Sequence, residues 1–223
     1  MNTLKRSTLP LLLGAALLAP VTLLVPAAPV QAATTQGAPS QLVLENSTRV
    51  LRTLESRRAE FAKDRGALDA FISTEFNKMF DRDYAARLVL GRHARGADAA
   101  DISVFADALA DSLTSRYGSS LVSFDSGLKV RVKSESPLRG GALVRVSSEF
   151  IRNNGDTVPV DYLMHKVGSQ WKVFDVMVEG VSFVQTFRNQ FDQPLSRKGI
   201  RAVAADLSAG KLSADAGRWP TRP

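Results

Sequence analysis

The stretch WKVFDVMVEGVSFVQTFRNQF, residues 171–191, begins as a strand and continues as a helix, with Gly180 between the two. Its first half is rich in β-branched and aromatic residues, which predicts a strand over about residues 170–179. Its second half places apolar residues at helical spacing, at Val181, Val184, Phe187 and Phe191. Because the strand half is apolar on both faces, we expect one face to pack on the following helix and the other to face the body of the protein.

Three more segments with an alternating apolar pattern precede this strand, one from Leu128 to about residue 133 and two over about residues 142–152 and 157–167. The connections between the last three strands are predicted at Asn153-Asn154-Gly155 and at Gly168-Ser169. Since such short connections join antiparallel neighbours, we predict a four-stranded antiparallel sheet.

The loop lengths determine the predicted register of this sheet, because a slip of one residue turns every side chain to the opposite face. A two-residue loop at Gly168-Ser169 produces three predicted pairs: Met164 with Val173, Tyr162 with Asp175, and Val160 with Met177. A three-residue loop before Asp156 turns the apolar residues of the preceding strand to the same side. The predicted inward face therefore consists of Leu128, Val130, Val132, Val144, Val146, Phe150, Val158, Val160, Tyr162, Met164, Trp171, Val173 and Met177.

Helical periodicity dominates the chain before the sheet. We predict a first helix over about residues 40–64, a second from Leu68 to Phe80, a short third that ends at Gly91, and a fourth from Ile102 to Tyr117 that carries Phe105 and Leu109. The order of helices, then strands, then helices predicts an α+β fold with N-terminal helices, the sheet and C-terminal helices.

The first 32 residues are typical of a cleaved secretory signal. Lys5 and Arg6 precede an apolar run, and Val30, Gln31 and Ala32 resemble a cleavage site. A membrane anchor is the alternative, and the prolines at 20, 26 and 29 argue against it. We therefore expect residues 33–223 to form a single domain outside the cytoplasm. Because the chain has no cysteine, disulfides, thiol nucleophiles and cysteine-ligated metals are excluded.

The chain carries a net charge of +7, and its basic clusters are not interleaved with aromatic residues, so we expect no nucleic-acid partner. Its two histidines, His93 and His165, are not in a metal-binding spacing, and no glycine-rich phosphate loop joins a strand to a helix. We expect neither a metal nor a cofactor.

Asp175 is the one residue with an enzymatic character, because the predicted register places it on an apolar face opposite Tyr162. A buried carboxylate has a raised pKa and can act as a general base. The alternative is that neighbouring groups satisfy Asp175 as a structural hydrogen bond.

The joined elements W-x-V-x-D at residues 171–175 and E-G-V-S at residues 179–182, followed by Phe187-Arg188-Asn189-Gln190-Phe191, resemble the signature of the MlaC family, the toluene-tolerance phospholipid-binding proteins. Phe80-Asp81, Leu90-Gly91 and the helix from Phe105 to Tyr117 match it in the same order. His93-Ala94 stands where many members carry a tryptophan, which weakens any inference about that loop.

This resemblance implies a periplasmic, non-enzymatic carrier that moves phospholipid between an outer-membrane lipoprotein and porin complex and an inner-membrane ABC transporter with its substrate-binding subunit. Such transport maintains the lipid asymmetry of the outer membrane. The family fold implies a curved sheet and helices that form a lipid-binding cleft, and we expect a monomer.

We expect the pocket to be lined by Val130, Val144, Val146, Phe150, Val160, Tyr162, Met164, Val173, Met177, Phe105 and Leu109. Short branched side chains leave volume for an acyl chain, and methionine adapts to it. Two other hypotheses remain: a periplasmic enzyme that uses Asp175 with Tyr162 or His165, and a non-lipid binding or scaffold protein.

Overall fold

The computed structural model describes residues 38–122 and 127–216, without the side chains of residues 119–122. The predicted signal segment, residues 1–32, and the tail from Trp219 lie outside the described residues. Within those ranges five α-helices are followed by a sheet and by two further α-helices, which confirms the α+β class.

The helices before the sheet are α1 (Ala38–Ser56), α2 (Arg58–Lys63), α3 (Arg65–Met79), α4 (Arg82–Leu90) and α5 (Ala99–Val122). Aspartate side chains begin two of them, because Asp64 accepts a hydrogen bond from the backbone N–H of Ala67 and Asp81 accepts one from that of Tyr84, each at 3.0 Å. The long first helix predicted from the periodicity is thus two helices, divided at Arg57.

The sheet contains β1 (Lys129–Leu138), β2 (Leu143–Ile151), β3 (Thr157–Val167), β4 (Gln170–Val178) and β5 (Val181–Ser182), all antiparallel and in chain order. Both predicted turns are confirmed, with Gly155 at φ 91° and Gly168 at φ 61°, a region that only glycine adopts without strain. The fifth strand, with two residues, is too short to show a periodic pattern in the sequence.

The predicted register is confirmed between β2 and β3, where Val146 lies opposite Tyr162 and Phe150 opposite Val158. It is also confirmed at the start of β4, where Val173 lies opposite Met164. Beyond this point β4 contains a bulge at Phe174, so that Asp175 pairs with Leu163.

The bulge makes two predicted pairs wrong, Tyr162 with Asp175 and Val160 with Met177. Tyr162 pairs instead with Val176, and Val160 with Val178. Because one extra residue reverses the alternation, Val176 and Val178 face inward and Met177 does not. The ring of Phe174, the residue at the bulge, packs edge-on against Tyr84 at a centroid distance of 5.3 Å and against His165 at 5.5 Å.

Two helices follow the sheet, α6 (Phe183–Lys198) and α7 (Ile200–Ser208). Ser182 begins α6 by accepting a hydrogen bond from the backbone N–H of Gln185 at 3.0 Å. The helix predicted to begin after Gly180 is confirmed, and Gly199 separates it from α7.

Two main hydrophobic clusters divide the interior. One packs α4, α5, α6 and α7 together, with Phe105 and Phe191 edge-to-face at 5.8 Å. The other packs Val43 of α1 and Met79 of α3 on the inward face of the sheet. A cavity lies between these two clusters.

Candidate functional site

A cavity of about 670 Å³ lies between the sheet and the helices, and it is neither sealed nor a flat surface. This volume falls in the range of about 300–1,000 Å³ that is usual for sites enclosing a small organic molecule. Its apolar wall includes Val50, Leu51 and Leu54 of α1, Ile72 and Phe76 of α3, Val89 of α4, Leu109 and Leu113 of α5, and Phe150, Val158, Val160, Val176 and Val178 of the sheet.

The inward face of the sheet divides into two parts, which we call the packed end and the hollow end. The packed end consists of Val144, Val146, Met164 and Val173, which share a buried cluster with Val43 and are not part of the cavity wall. The hollow end consists of Phe150, Val158, Val160, Val176 and Val178, which line the cavity. Tyr162, Val160 and Val178 belong to both the cluster and the wall. Tyr162 marks the boundary, because it lies between Val146 of the packed end and Val176 of the hollow end.

The eleven residues predicted for the pocket are distributed over five places. Four line the cavity: Leu109, Phe150, Val160 and Tyr162. Four lie in the packed end: Val144, Val146, Met164 and Val173. Phe105 is buried within the helical cluster, where its ring packs on Phe191, and Val130 is half-buried on β1 away from the wall. Met177 lies on the opposite face of β4 because of the bulge at Phe174.

The sequence reasoning missed most of the helical wall. Residues of α1 and α3 such as Val50, Leu54 and Ile72 do lie on the predicted apolar stripes of their helices. Periodicity shows only that a stripe faces inward, and it does not distinguish a packed neighbour from open space. Uninterrupted alternation along β4 predicts that Val176 and Val178 lie on the opposite face, because the sequence pattern contains no sign of the bulge.

The wall has one buried polar cluster, formed by Asn46 and Ser47 of α1 and Tyr162 of β3, each with 8% of its surface exposed. Burial raises the pKa of the Tyr162 hydroxyl, and a hydrogen bond with the Ser47 side chain opposes part of that rise. The tyrosine therefore stays a neutral group at any physiological pH.

Charged residues of both signs also border the cavity, namely Glu55, Arg58, Asp69, Arg82, Asp111 and Arg152. Arg82 forms an ion pair with Asp107 at 2.8 Å. This mixture is not a clamp for one particular charge.

Asp175 borders the cavity beside Phe183 and Val184, and both of its oxygens are engaged. Oδ2 accepts a hydrogen bond from Ser182 Oγ at 2.6 Å, and Oδ1 accepts one from the backbone N–H of Val184 at 3.0 Å. Burial raises the pKa of this carboxyl, and the bonds from Ser182 and Val184 oppose the rise. Its contacts are those of a side chain that fixes the first turn of α6.

Each of the two histidines contacts an aspartate. His165 Nε2 is 3.0 Å from Asp81 Oδ2, and His93 Nε2 is 2.9 Å from Asp192 Oδ1. In residues 38–122 and 127–216 no three or more histidine or carboxylate side chains gather as they would around a metal ion. No helix in those ranges has the length and apolar character needed to span a membrane.

Comparison with known proteins adds to this geometry. The family model described as MlaC protein matches residues 44–209. This chain belongs to the MlaC family. The match includes the whole sheet and every helix except the first turns of α1.

Two characterised relatives are similar over most of the chain. The toluene tolerance protein ttg2D of Pseudomonas putida is 24% identical over 186 residues, which cover 79% of this chain and 85% of the relative. The intermembrane phospholipid transport system binding protein MlaC of Haemophilus influenzae is 20% identical over 172 residues, which cover 76% of this chain and 80% of the relative.

A solved structure of a phospholipid-binding protein from Ralstonia solanacearum, in complex with a phospholipid, has the same fold. It superposes with a TM-score of 0.68 at 20% identity, covering 77% of this chain and 97% of the other. The MlaC-like arrangement of helices around the sheet is thereby confirmed for this chain.

Proposed function

We propose that this MlaC-family protein is a periplasmic carrier that holds the acyl chains of a phospholipid in the cavity at the hollow end of its sheet. The observation that carries the proposal is the apolar cavity of about 670 Å³ beside a sheet face that is packed elsewhere. The names of the relatives, which describe phospholipid binding and intermembrane transport, point to the same ligand class.

The physical basis is the transfer of hydrocarbon out of water. Burying an acyl chain is worth about 0.8 kcal/mol per methylene, so a chain in the cavity gains much of what it loses on leaving a membrane. The mixed charges at Glu55, Arg58, Asp69 and Arg152 favour a headgroup that stays at the rim without a strict charge requirement. A carrier with these properties exchanges several phospholipids at a low net cost.

The carrier would receive its lipid from one membrane complex and deliver it to another. We propose an outer-membrane lipoprotein and porin complex and an inner-membrane ABC transporter with its substrate-binding subunit as the two partners, and maintenance of outer-membrane lipid asymmetry as the result. The protein would act as a monomer after removal of residues 1–32.

A catalytic role for Asp175 has little geometric support. Tyr162, its supposed partner, pairs with Val176 on the other face of β4, and the carboxylate oxygens are engaged by Ser182 and Val184. We therefore propose binding and transfer without chemical change of the lipid.

Native mass spectrometry of the mature protein, exported and purified without detergent, tests the proposal. We expect a bound species whose added mass matches one phospholipid, released intact when the protein is unfolded. A protein that carries no lipid, and that takes up none from labelled phospholipid vesicles, would overturn the proposed function.

A further inference from the structure

The inward stripe of α1 is interrupted by two polar residues. Val43, Val50 and Leu54 are apolar and follow helical spacing, and Asn46 and Ser47 occupy the same stripe one turn after Val43. Both polar residues have only 8% of their surface exposed. A stripe that served only to cover an apolar interior would carry apolar residues here.

These residues stand where the cavity meets the packed end. Val43 lies in the packed cluster, whereas Asn46 and Ser47 line the cavity, so the change from packed to hollow occurs between consecutive turns of α1. Tyr162 marks the same change on the sheet, and Ser47 hydrogen-bonds to it. The three side chains therefore form a polar patch on the cavity wall, where the packed end begins.

Asn46 is the member of this patch without a partner. Ser47 and Tyr162 satisfy each other, but within the ranges that the structure describes the Asn46 amide makes no hydrogen bond or ionic contact with another protein group. Among the described residues Arg145 Nε is the one fully enclosed side-chain atom without a partner, so the Asn46 amide is open to the cavity, and a lipid that fills the cavity would remove water from it. A polar group that loses water without gaining another partner is costly. The amide faces a cavity that has room for a ligand.

From these observations we propose that this polar patch is a subsite for a neutral oxygen on the acyl portion of the lipid, either an ester carbonyl or a hydroxyl on the chain. The inference rests on the proposed function and adds a preference within that ligand class. The Asn46 amide donates to a carbonyl and both donates to and accepts from a hydroxyl. A carboxylate is disfavoured because the patch consists of three uncharged side chains, and an unpaired buried charge is far more costly than a buried neutral group.

Competition between three lipids of equal chain length and equal headgroup tests this subsite. The first is a diacyl phosphatidylethanolamine with ester links, the second its diether analogue, which lacks both carbonyls, and the third a diether analogue with one hydroxyl on each chain. Delipidated mature protein is equilibrated with pairs of these lipids in mixed vesicles, and the bound lipid is weighed by native mass spectrometry.

We expect wild-type protein to retain at least one oxygen-bearing lipid about tenfold more than the plain diether, which is the ratio produced by satisfying one buried polar group. Preference for the diester identifies the ester carbonyl as the group bound, and preference for the hydroxylated diether identifies the chain hydroxyl. Either result supports the subsite.

The variant Asn46→Leu removes the amide at nearly constant volume on a stripe that is otherwise apolar. We expect it to bind all three lipids and to lose the tenfold preference. Asn189→Leu is the matched control, because Asn189 is an exposed residue of α6 outside the cavity wall, and it should keep the preference. Tyr162→Phe with Ser47→Ala is a second variant, which should reduce the preference without changing chain binding.

Three results would overturn the inference in distinguishable ways. Equal retention of the three lipids by wild-type protein would show that water satisfies Asn46, and the carrier function would stand. A preference that survives in Asn46→Leu would place its cause elsewhere. Failure to bind any of the three lipids would overturn both the subsite and the proposed function.

Discussion

The packed end and the hollow end of the sheet have nearly the same composition and opposite roles. Val146 and Val178 belong to the same buried cluster as Val43. Val146, with none of its surface exposed, is absent from the cavity wall, whereas Val178, with 7% exposed, lines the cavity. Both valines lie on the inward face of the same sheet. The difference arises from what the helices place opposite each of them, so the cavity is a property of the helix arrangement.

The hollow end depends on the rest of the protein for its stability. A wall residue next to open space forgoes the dispersion contacts that a packed residue makes. The packed end, together with the helical cluster around Phe105 and Phe191, must therefore supply the stability that the cavity does not. The same sheet thus combines a rigid half with a half that can accept a ligand.

Enlarging a side chain separates the two ends most sharply. Val146→Trp forces an indole into a filled region, and we expect it to lower the free energy of unfolding by at least about 3 kcal/mol. Val160→Trp points into the cavity, so we expect a change below about 1 kcal/mol and at least a tenfold fall in bound phospholipid. Urea unfolding and native mass spectrometry measure the two effects.

A reversal of these results would refute the division. If Val146→Trp were as stable as wild type while Val160→Trp unfolded, the packed and hollow ends would have been assigned the wrong way round.

Truncation provides a matched pair with a smaller effect. Val146→Ala removes buried methyl groups and leaves a void, which should cost about 2–3 kcal/mol of unfolding free energy. Val178→Ala removes the same atoms from a wall that already borders open space, and we expect about 1 kcal/mol in delipidated protein. Both are measured by urea unfolding of delipidated protein at one pH, and equal losses would contradict the comparison.

A substitution at Asp175 measures how much this side chain stabilises the end of β4 next to the bulge, where Val176 and Val178 turn towards the hollow end. Burial raises the pKa of this carboxyl in the folded state above its unfolded value, so its contribution to stability is present at low pH and is lost as the pH rises through the folded pKa. Asp175→Asn weakens the bonds to Ser182 and Val184, and we expect a loss of about 1 kcal/mol near pH 4.

The difference between wild type and Asp175→Asn should shrink as the pH is raised to neutrality, because only the wild type loses this contribution. Chemical unfolding at several pH values measures it, with Asn189→Leu as a variant whose offset should stay constant. A difference that grows with pH would mean that the folded-state pKa of Asp175 is lowered, which disagrees with its burial.

The sequence predicts the elements of this fold well and their packing poorly. Alternation and loop length were enough to place Val146 opposite Tyr162, because each turn leaves one register that buries the apolar face. They failed at Phe174, where the bulge depends on contacts with Tyr84 and His165 that come from distant parts of the chain. One unpredicted residue reversed the assignments of Asp175, Val176 and Met177.

The site was harder to predict for a related reason. Leu109, Phe150, Val160 and Tyr162 were expected in the pocket and do line the cavity, whereas Val144 and Met164 satisfy the same criterion and are packed. An apolar inward residue has the same sequence pattern at the packed end and at the hollow end. Only the helix opposite it determines whether it is packed or lines the cavity. Asn46 and Ser47 are the exception, because polar residues on an apolar stripe are visible in the sequence.

The central claim is that hydrocarbon occupies the hollow end and not the packed end. The most direct test is a crystal structure of the mature protein purified with its lipid. We predict acyl-chain density against Val160 and Val178, and direct contact between Val146 and Val43 without intervening lipid. Acyl chains lying elsewhere, or a hollow end closed by the protein's own side chains while lipid is bound, would contradict the account.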